Sequence, residues 1–177
     1  MRGEEQNSRK SDSFDWTLWV KWILATTLGW LVAFALWPEP GHGQFAYGAI
    51  VGTAQWIVLQ SLIPEHRWWI PASAAGWAGG AVGVALLLPA ANPIVAQAII
   101  GGGMGLAQWL ILRRQVHRAW WWIVLSALGW TVAMMGILGG LLEGAMAGAV
   151  TGFALELLLR HPLEEGSASR QQSTGGR

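Results

Sequence analysis

The sequence predicts an all-α integral membrane protein with six transmembrane helices, arranged as three repeats of one helical hairpin. Three observations predict this fold class: a scarcity of charge, six separate apolar segments and an internal repeat. Of the 177 residues, 53% are hydrophobic and 12% are charged, whereas about 25% are charged in an average soluble domain. The charges cluster in the two tails and two short connections, so the long apolar stretches between them favour lipid as the solvent.

The six apolar segments comprise residues 16–37, 44–63, 68–88, 94–112, 119–138 and 141–159. Each has the roughly 20 residues that a helix needs to cross a hydrocarbon core about 30 Å thick. Helices are expected because a bilayer offers the backbone no other hydrogen-bond partners. Pro38 and Pro40 follow the first segment, and Pro64 is predicted to end the second helix.

The Lys and Arg residues predict the orientation of the chain. All eleven lie in the amino-terminal region, the second and fourth connections or the carboxy-terminal region. The three connections on the opposite side, around residues 38–43, 89–93 and 139–140, have none. The positive-inside rule therefore predicts that both termini are cytoplasmic. The net charge of +1 is too small to indicate nucleic acid as a partner.

Polar tails are predicted on both sides of a single transmembrane domain. Residues 1–15 form a cytoplasmic tail without the apolar run of a cleaved signal peptide, residues 16–160 form the domain, and residues 161–177 are predicted to be disordered.

Two motifs recur along the domain. Residues 52–60, 105–113 and 152–160 align without gaps, and so do residues 22–30, 69–77 and 122–130. The repeats predict hairpins at about residues 16–63, 68–112 and 119–160. A pseudo-threefold ring and a sequential stack are both compatible with this pattern, although a ring would give each hairpin an equivalent environment.

Glycines spaced four residues apart predict close helix packing, because small residues let helix backbones approach one another in lipid. A narrow pore or a groove for a flat ligand is the functional alternative. The glycines assigned to packing are Gly48, Gly52, Gly101, Gly105, Gly148, Gly152, Gly29, Gly76 and Gly129.

Gln55 and Gln108 are the polar side chains that repeat within the apolar segments. An amide in hydrocarbon needs partners, so we expect hydrogen bonds to hydroxyl groups on neighbouring helices. The alternative is that both amides bind a small polar ligand or ion. The gap-free alignment places Leu155 at this position in the third repeat, so it predicts no ring of three amides.

Glu156 is a carboxylate within the last apolar segment, and the alignment places it where the other repeats have Trp56 and Trp109. An ionisable group in a membrane span suggests a proton or cation site. Arg160 lies one turn later, so an i,i+4 ion pair is the structural alternative.

Among the fourteen tryptophans, five that recur with the repeat are predicted to lie deep in the membrane: Trp30, Trp77, Trp130, Trp56 and Trp109. Indoles that fill volume beside glycines are one interpretation. A cavity for a planar or cationic lipophile is the other.

No catalytic motif is present, so the chain is predicted not to be an enzyme. It has no Gly-x-Ser-x-Gly elbow, no His-Glu-x-x-His and no phosphate-binding loop. The four histidines fall in loops or tails and cysteine is absent, so no metal or cofactor is predicted.

The Ala-Gln-Trp and Gly-Trp motifs of residues 105–113 and 120–130 resemble those of uncharacterised small bacterial multi-pass membrane proteins. The resemblance extends over nearly all of residues 16–160 and implies the fold without an activity. We expect the bacterial inner membrane as the location. The predicted function is a non-enzymatic membrane module that packs with or assembles other membrane components, its partners being the lipid bilayer and other membrane proteins. The alternative is a binder or transporter of a lipophilic small molecule that uses Gln55, Gln108, Glu156 and the deep tryptophans.

Overall fold

A computed structural model of the chain describes residues 13–37, 43–135 and 142–162. Over these ranges the protein is helical and has no strand. The six helices are α1 (Trp16–Leu36), α2 (Gln44–Leu59), α3 (Trp69–Leu87), α4 (Pro93–Leu112), α5 (Trp121–Met134) and α6 (Glu143–Leu159). A short 3-10 turn, His66–Trp68, precedes α3. Most of the two predicted tails, and the predicted connections at residues 38–42 and 139–140, lie outside the described ranges.

Local sequence signals account for several helix ends. Asp15 caps α1 by accepting a hydrogen bond from the Leu18 N–H at 3.0 Å. Asn92 caps α4 in the same way, and Pro93 follows at the first helical position.

Two predicted helix ends were wrong. The second helix ends at Leu59 rather than at Pro64, because the chain turns there and places Ile63 in the core. The fifth helix begins at Trp121 rather than Ala119, since Arg118 has a φ of +56° and cannot continue a right-handed helix.

The helices form a closed ring. Each helix packs against the ones before and after it in the chain, and α6 packs against α1. This last contact closes the ring of the six described helices, which a sequential stack would leave open. Consecutive helices run in opposite directions, so the ring has two ends. The near end has residues 13–15, 60–68, 113–120 and 160–162, and the far end has residues 37, 43, 88–92, 135 and 142.

Apolar side chains cover the outside of the ring. Large exposed hydrophobic residues occur on every helix, among them Leu28, Phe45, Leu86, Leu106, Leu128 and Phe153. Within the described ranges, three helices are long and apolar enough to cross a membrane: α1, α3 with its 3-10 turn, and α4. Helices α2, α5 and α6 have 16, 14 and 17 residues and are shorter than the predicted segments.

Glycines mark the contacts between neighbouring helices. Equivalent glycines of the three odd-numbered helices face the following helix: Gly29, Gly76 and Gly129. At Gly76 the fit is tight, because an added Cβ atom would lie 2.6 Å from the Gly103 carbonyl oxygen and 2.7 Å from the Met104 Cα atom.

The glycines that repeat four residues apart on the even-numbered helices face the next helix around the ring. Added Cβ atoms at Gly48, Gly101 and Gly144 would each lie 2.7 to 2.8 Å from the Cβ atom of a tryptophan: Trp77, Trp130 and Trp30 respectively. One turn later, Cβ atoms added at Gly52, Gly105 and Gly148 would lie 2.6, 2.7 and 3.1 Å from the Cβ atoms of Ser73, Ser126 and Thr26. In its contacts, Gly148 therefore matches Gly52 and Gly105, while Gly152 lies against Trp22.

Candidate functional site

A layer of buried polar side chains crosses the middle of the ring. Helices α1, α3 and α5 contribute Thr26, Ser73 and Ser126, and helices α2, α4 and α6 contribute Gln55, Gln108 and Thr151. None of the six is more than 3% exposed. We call these six side chains the polar layer.

Two groups of three tryptophans lie on either side of the polar layer, all from the odd-numbered helices. The near triangle consists of Trp22, Trp69 and Trp122, whose ring centroids are 5.8 to 6.0 Å apart in edge-to-face contacts. The far triangle consists of Trp30, Trp77 and Trp130, with centroids 4.6 to 6.2 Å apart. Eight residues, or about 12 Å of helix rise, separate the two tryptophans of each helix. The tryptophans pack on one another across the axis of the ring, as edge-to-face aromatic contacts favour.

The two predicted glutamines meet in the polar layer. The Gln108 Nε2 group donates to the Ser73 Oγ atom at 2.8 Å and to the Gln55 Oε1 atom at 3.3 Å. The Gln55 Nε2 group donates to the Thr26 Oγ1 atom at 3.3 Å. The oxygens of both amides are acceptors as well, since Trp69 donates to Gln55 at 3.1 Å and Trp122 donates to Gln108 at 2.9 Å. Amide donors and acceptors are therefore bonded to side chains of the protein itself.

Thr151 is the third member of this set, which the sequence alignment missed. The Trp22 Nε1 group donates to the Thr151 Oγ1 atom at 3.0 Å, as Trp69 and Trp122 do to the two glutamines. Thr151 therefore occupies in α6 the place of the glutamines in α2 and α4. Leu155, which the alignment had put there, lies one turn further along, in the apolar cluster around the near triangle.

The gap-free alignment of the third repeat was thus wrong by one helical turn. Gly144, Gly148 and Gly152 are spaced four residues apart, so that either of two registers matches glycine to glycine. The contacts of Gly148 and Thr151 select the register in which Thr151 pairs with Gln55 and Gln108.

Glu156 consequently does not replace Trp56 or Trp109. It matches Gln60 and Arg113, the residues that follow α2 and α4 directly. Its Oε1 atom accepts hydrogen bonds from the Asp15 backbone N–H at 2.9 Å and from the Arg160 Nε group at 2.7 Å. The side chain is 3% exposed, and its Oε2 atom has no hydrogen-bond partner within the described part of the chain.

Trp56 and Trp109 were predicted to lie deep, but they lie outside both triangles, at the near end of the ring. Both are partly exposed. The Arg113 Cζ atom lies 5.1 Å from the centroid of the Trp109 ring. The centroids of the Trp56 and His66 rings are 6.1 Å apart. The Trp56 Nε1 group is buried and has no partner in the residues that the structure describes.

Polar residues at the far end were not singled out in the sequence. The Trp77 Nε1 group donates to the Gln44 Oε1 atom at 2.8 Å, and the Tyr47 hydroxyl donates to the Trp37 carbonyl at 2.6 Å. Glu143, the first residue of α6, is a second carboxylate within the last apolar segment. A carboxylate within residues 141–159 is the same signal that singled out Glu156, so the sequence could have revealed Glu143 as well.

In the polar layer the hydroxyl groups also bond to backbone: Ser73 to Trp69, Ser126 to Gly101 and Thr151 to Ala147. No cluster of three His, Asp or Glu side chains suited to a metal ion occurs within residues 13–37, 43–135 and 142–162.

Comparisons with known proteins add no functional assignment: no family model, no curated protein and no solved structure matches the chain. The resemblance to small bacterial membrane proteins therefore stays a prediction.

Proposed function

We propose that this protein is a non-enzymatic membrane module, built from three hairpins in a pseudo-threefold ring, that packs with other membrane components through its outer surface. The observation that carries the proposal is that Gln55 and Gln108 are buried and hydrogen-bonded within the protein. They are the polar side chains best suited to hold a ligand, yet they are 2% and 1% exposed and bond to tryptophan, serine and threonine side chains and to one another.

The distribution of polarity supports a bilayer as the surroundings. Polar side chains lie at the centre of the ring, while large hydrophobic residues cover its outside on all six helices. A soluble protein rarely exposes so large a continuous apolar surface. Threonines that point outward satisfy their hydroxyl groups on their own helix, as Thr53 does by donating to the Ala49 carbonyl at 2.7 Å.

Equivalent contacts support the three-hairpin arrangement. Each hairpin contributes two tryptophans to the triangles, one hydroxyl from its first helix and one acceptor from its second helix. Three units of this kind bury one another's polar groups, whereas a single hairpin would leave them in lipid.

Thiol labelling tests the membrane placement and the predicted orientation, since the natural chain has no cysteine. Ala90 lies in the far-end connection and Gln60 follows α2 at the near end, and both are exposed. A membrane-impermeant maleimide should label Ala90→Cys in intact cells and Gln60→Cys only after permeabilisation. Labelling of Gln60→Cys in intact cells would contradict the orientation, and equal labelling of both would contradict insertion.

Site-specific photo-crosslinking tests the role of the outer surface. A photoreactive amino acid replaces Leu28, Leu106 or Leu128, which face outward on three helices, and Met104, which is 1% exposed, is the inward control. We expect adducts with other membrane proteins from at least one outward position and intramolecular products alone from position 104. If all three outward positions give lipid adducts and nothing else, the chain does not assemble with proteins.

A lipophile-binding protein or transporter is the second candidate. It is favoured by buried polar atoms that have no hydrogen-bond partner in the described ranges, among them the Glu156 Oε2 and the Trp56 Nε1 atoms. Titration of the purified protein with planar and cationic lipophiles, followed by tryptophan fluorescence, distinguishes the candidates. A saturable response that Trp56→Phe or Glu156→Gln weakens would favour binding over packing.

A further inference from the structure

The ring has three junctions at which an even-numbered helix meets the next odd-numbered helix. Residues 60–68 connect α2 to α3, and residues 113–120 connect α4 to α5. At the third junction the last described helix, α6, meets the first, α1, and these two helices are not consecutive in the chain. We call this third junction the seam.

Glu156 lies at the seam in the position where the other two junctions have their connections. Its structural counterparts, Gln60 and Arg113, are the first residues of those connections. There the Glu156 carboxylate accepts a hydrogen bond from the backbone N–H of Asp15, the residue that caps α1. A carboxylate at a helix amino terminus is also stabilised by the helix dipole.

Further contacts hold the first residues of the described chain against α6. The Phe14 ring stacks on the Phe153 ring with centroids 5.6 Å apart, and the Arg160 guanidinium lies 5.6 Å from the Phe14 centroid. The Trp19 Nε1 group donates to the Ala149 carbonyl at 2.9 Å. The carboxylate beneath these groups is almost completely buried, where a charge-assisted hydrogen bond is stronger than in water.

We propose that the Glu156 carboxylate is a latch that closes the ring in place of a connecting loop, and that the seam is the junction at which the ring opens when the latch is lost. The other two junctions stay closed because the chain itself keeps their helices together. The closure of the ring follows from these contacts whether or not the outer surface packs with other proteins.

Distances between paired spin labels test the latch in the full chain, in lipid nanodiscs. Labels at Leu24 and Ala149 report on the seam. Labels at the structurally equivalent Leu106 and Val124 report on the α4–α5 junction, which has a covalent connection. In Glu156→Ala we expect a second, longer distance between positions 24 and 149, absent from the parent chain, while the distance between positions 106 and 124 stays unchanged.

Two further variants complete the test. Glu156→Gln keeps an acceptor for the Asp15 N–H and should show a smaller longer-distance fraction than Glu156→Ala. Glu65→Ala removes the exposed ion pair with Arg114, which joins two connections at the same end, and should leave both distances unchanged. The latch is refuted if Glu156→Ala and Glu156→Gln both leave the seam distance as in the parent, or if they widen both junctions equally.

Discussion

Replacing Gln108 with leucine should destabilise the fold, because the amide connects its own helix, α4, to three others. Its Nε2 group donates to Ser73 and Gln55, and its Oε1 atom accepts from Trp122. Leucine is close to glutamine in size, so the substitution removes three hydrogen bonds without opening a large cavity.

The expected loss follows from these bonds. Hydrogen bonds between helices in membranes contribute about 0.6 kcal/mol each on average, so three contribute about 2 kcal/mol. The Trp122 N–H is left buried without an acceptor, which adds about 1–3 kcal/mol. We therefore expect Gln108→Leu to lower the free energy of unfolding by about 3–5 kcal/mol.

Reversible unfolding in mixed micelles with increasing dodecyl sulfate, followed by far-ultraviolet circular dichroism, measures this loss. The control is Gln60→Leu, since Gln60 is exposed and donates to the Ile57 carbonyl of its own helix; its effect should stay within about 0.5 kcal/mol. A double-mutant cycle with Trp122→Phe should give a coupling energy of about 1 kcal/mol. A loss of less than about 0.5 kcal/mol for Gln108→Leu, or no coupling, would refute the proposed network.

Two further substitutions have matched controls. Gly76→Ala should lower the free energy of unfolding by about 1–3 kcal/mol, because the added methyl group collides with the backbone of α4. Gly79→Ala on the same helix meets open space and should leave the free energy of unfolding equal or slightly higher. Equal effects of the two substitutions in the same micelle assay would contradict the packing. Thr151→Val should lower the free energy of unfolding by about 1–2 kcal/mol, because the Trp22 N–H loses its acceptor. Thr53→Val loses a bond within its own helix alone and should be neutral; a neutral Thr151→Val would show that Thr151 does not act as the third member of the polar layer.

Much of the candidate site could be predicted from residue type alone. A glutamine in an apolar segment needs a hydrogen-bond partner, and the sequence has hydroxyl groups in other apolar segments, at Thr26, Ser73 and Ser126. The structure brings Thr26 and Ser73 to the amides, whereas Ser126 donates to the Gly101 carbonyl. Which hydroxyl reaches which amide depends on the relative heights of the helices, and residue type carries no information on that.

The third repeat was misaligned for a physical reason. Glycines at a spacing of four form a continuous stripe along one helix face, and shifting the stripe by one turn places glycine on glycine again. Gly144, Gly148 and Gly152 therefore fit either register, and the gap-free match of residues 152–160 with the other repeats favoured the wrong one. Hydrogen bonding has no such ambiguity, because the Trp22 N–H reaches the Thr151 hydroxyl in one register.

By itself, the sequence determined the helical class, the six helical segments and the residue types of the core, since composition and periodicity act locally along the chain. The tertiary structure alone decided that α6 closes on α1, that Thr151 completes the polar layer and that Glu156 lies at the seam. These three features depend on contacts between residues more than 100 positions apart, such as Asp15 with Glu156. Local patterns do not specify contacts over such distances, because they depend on how all six helices fit together around the two tryptophan triangles.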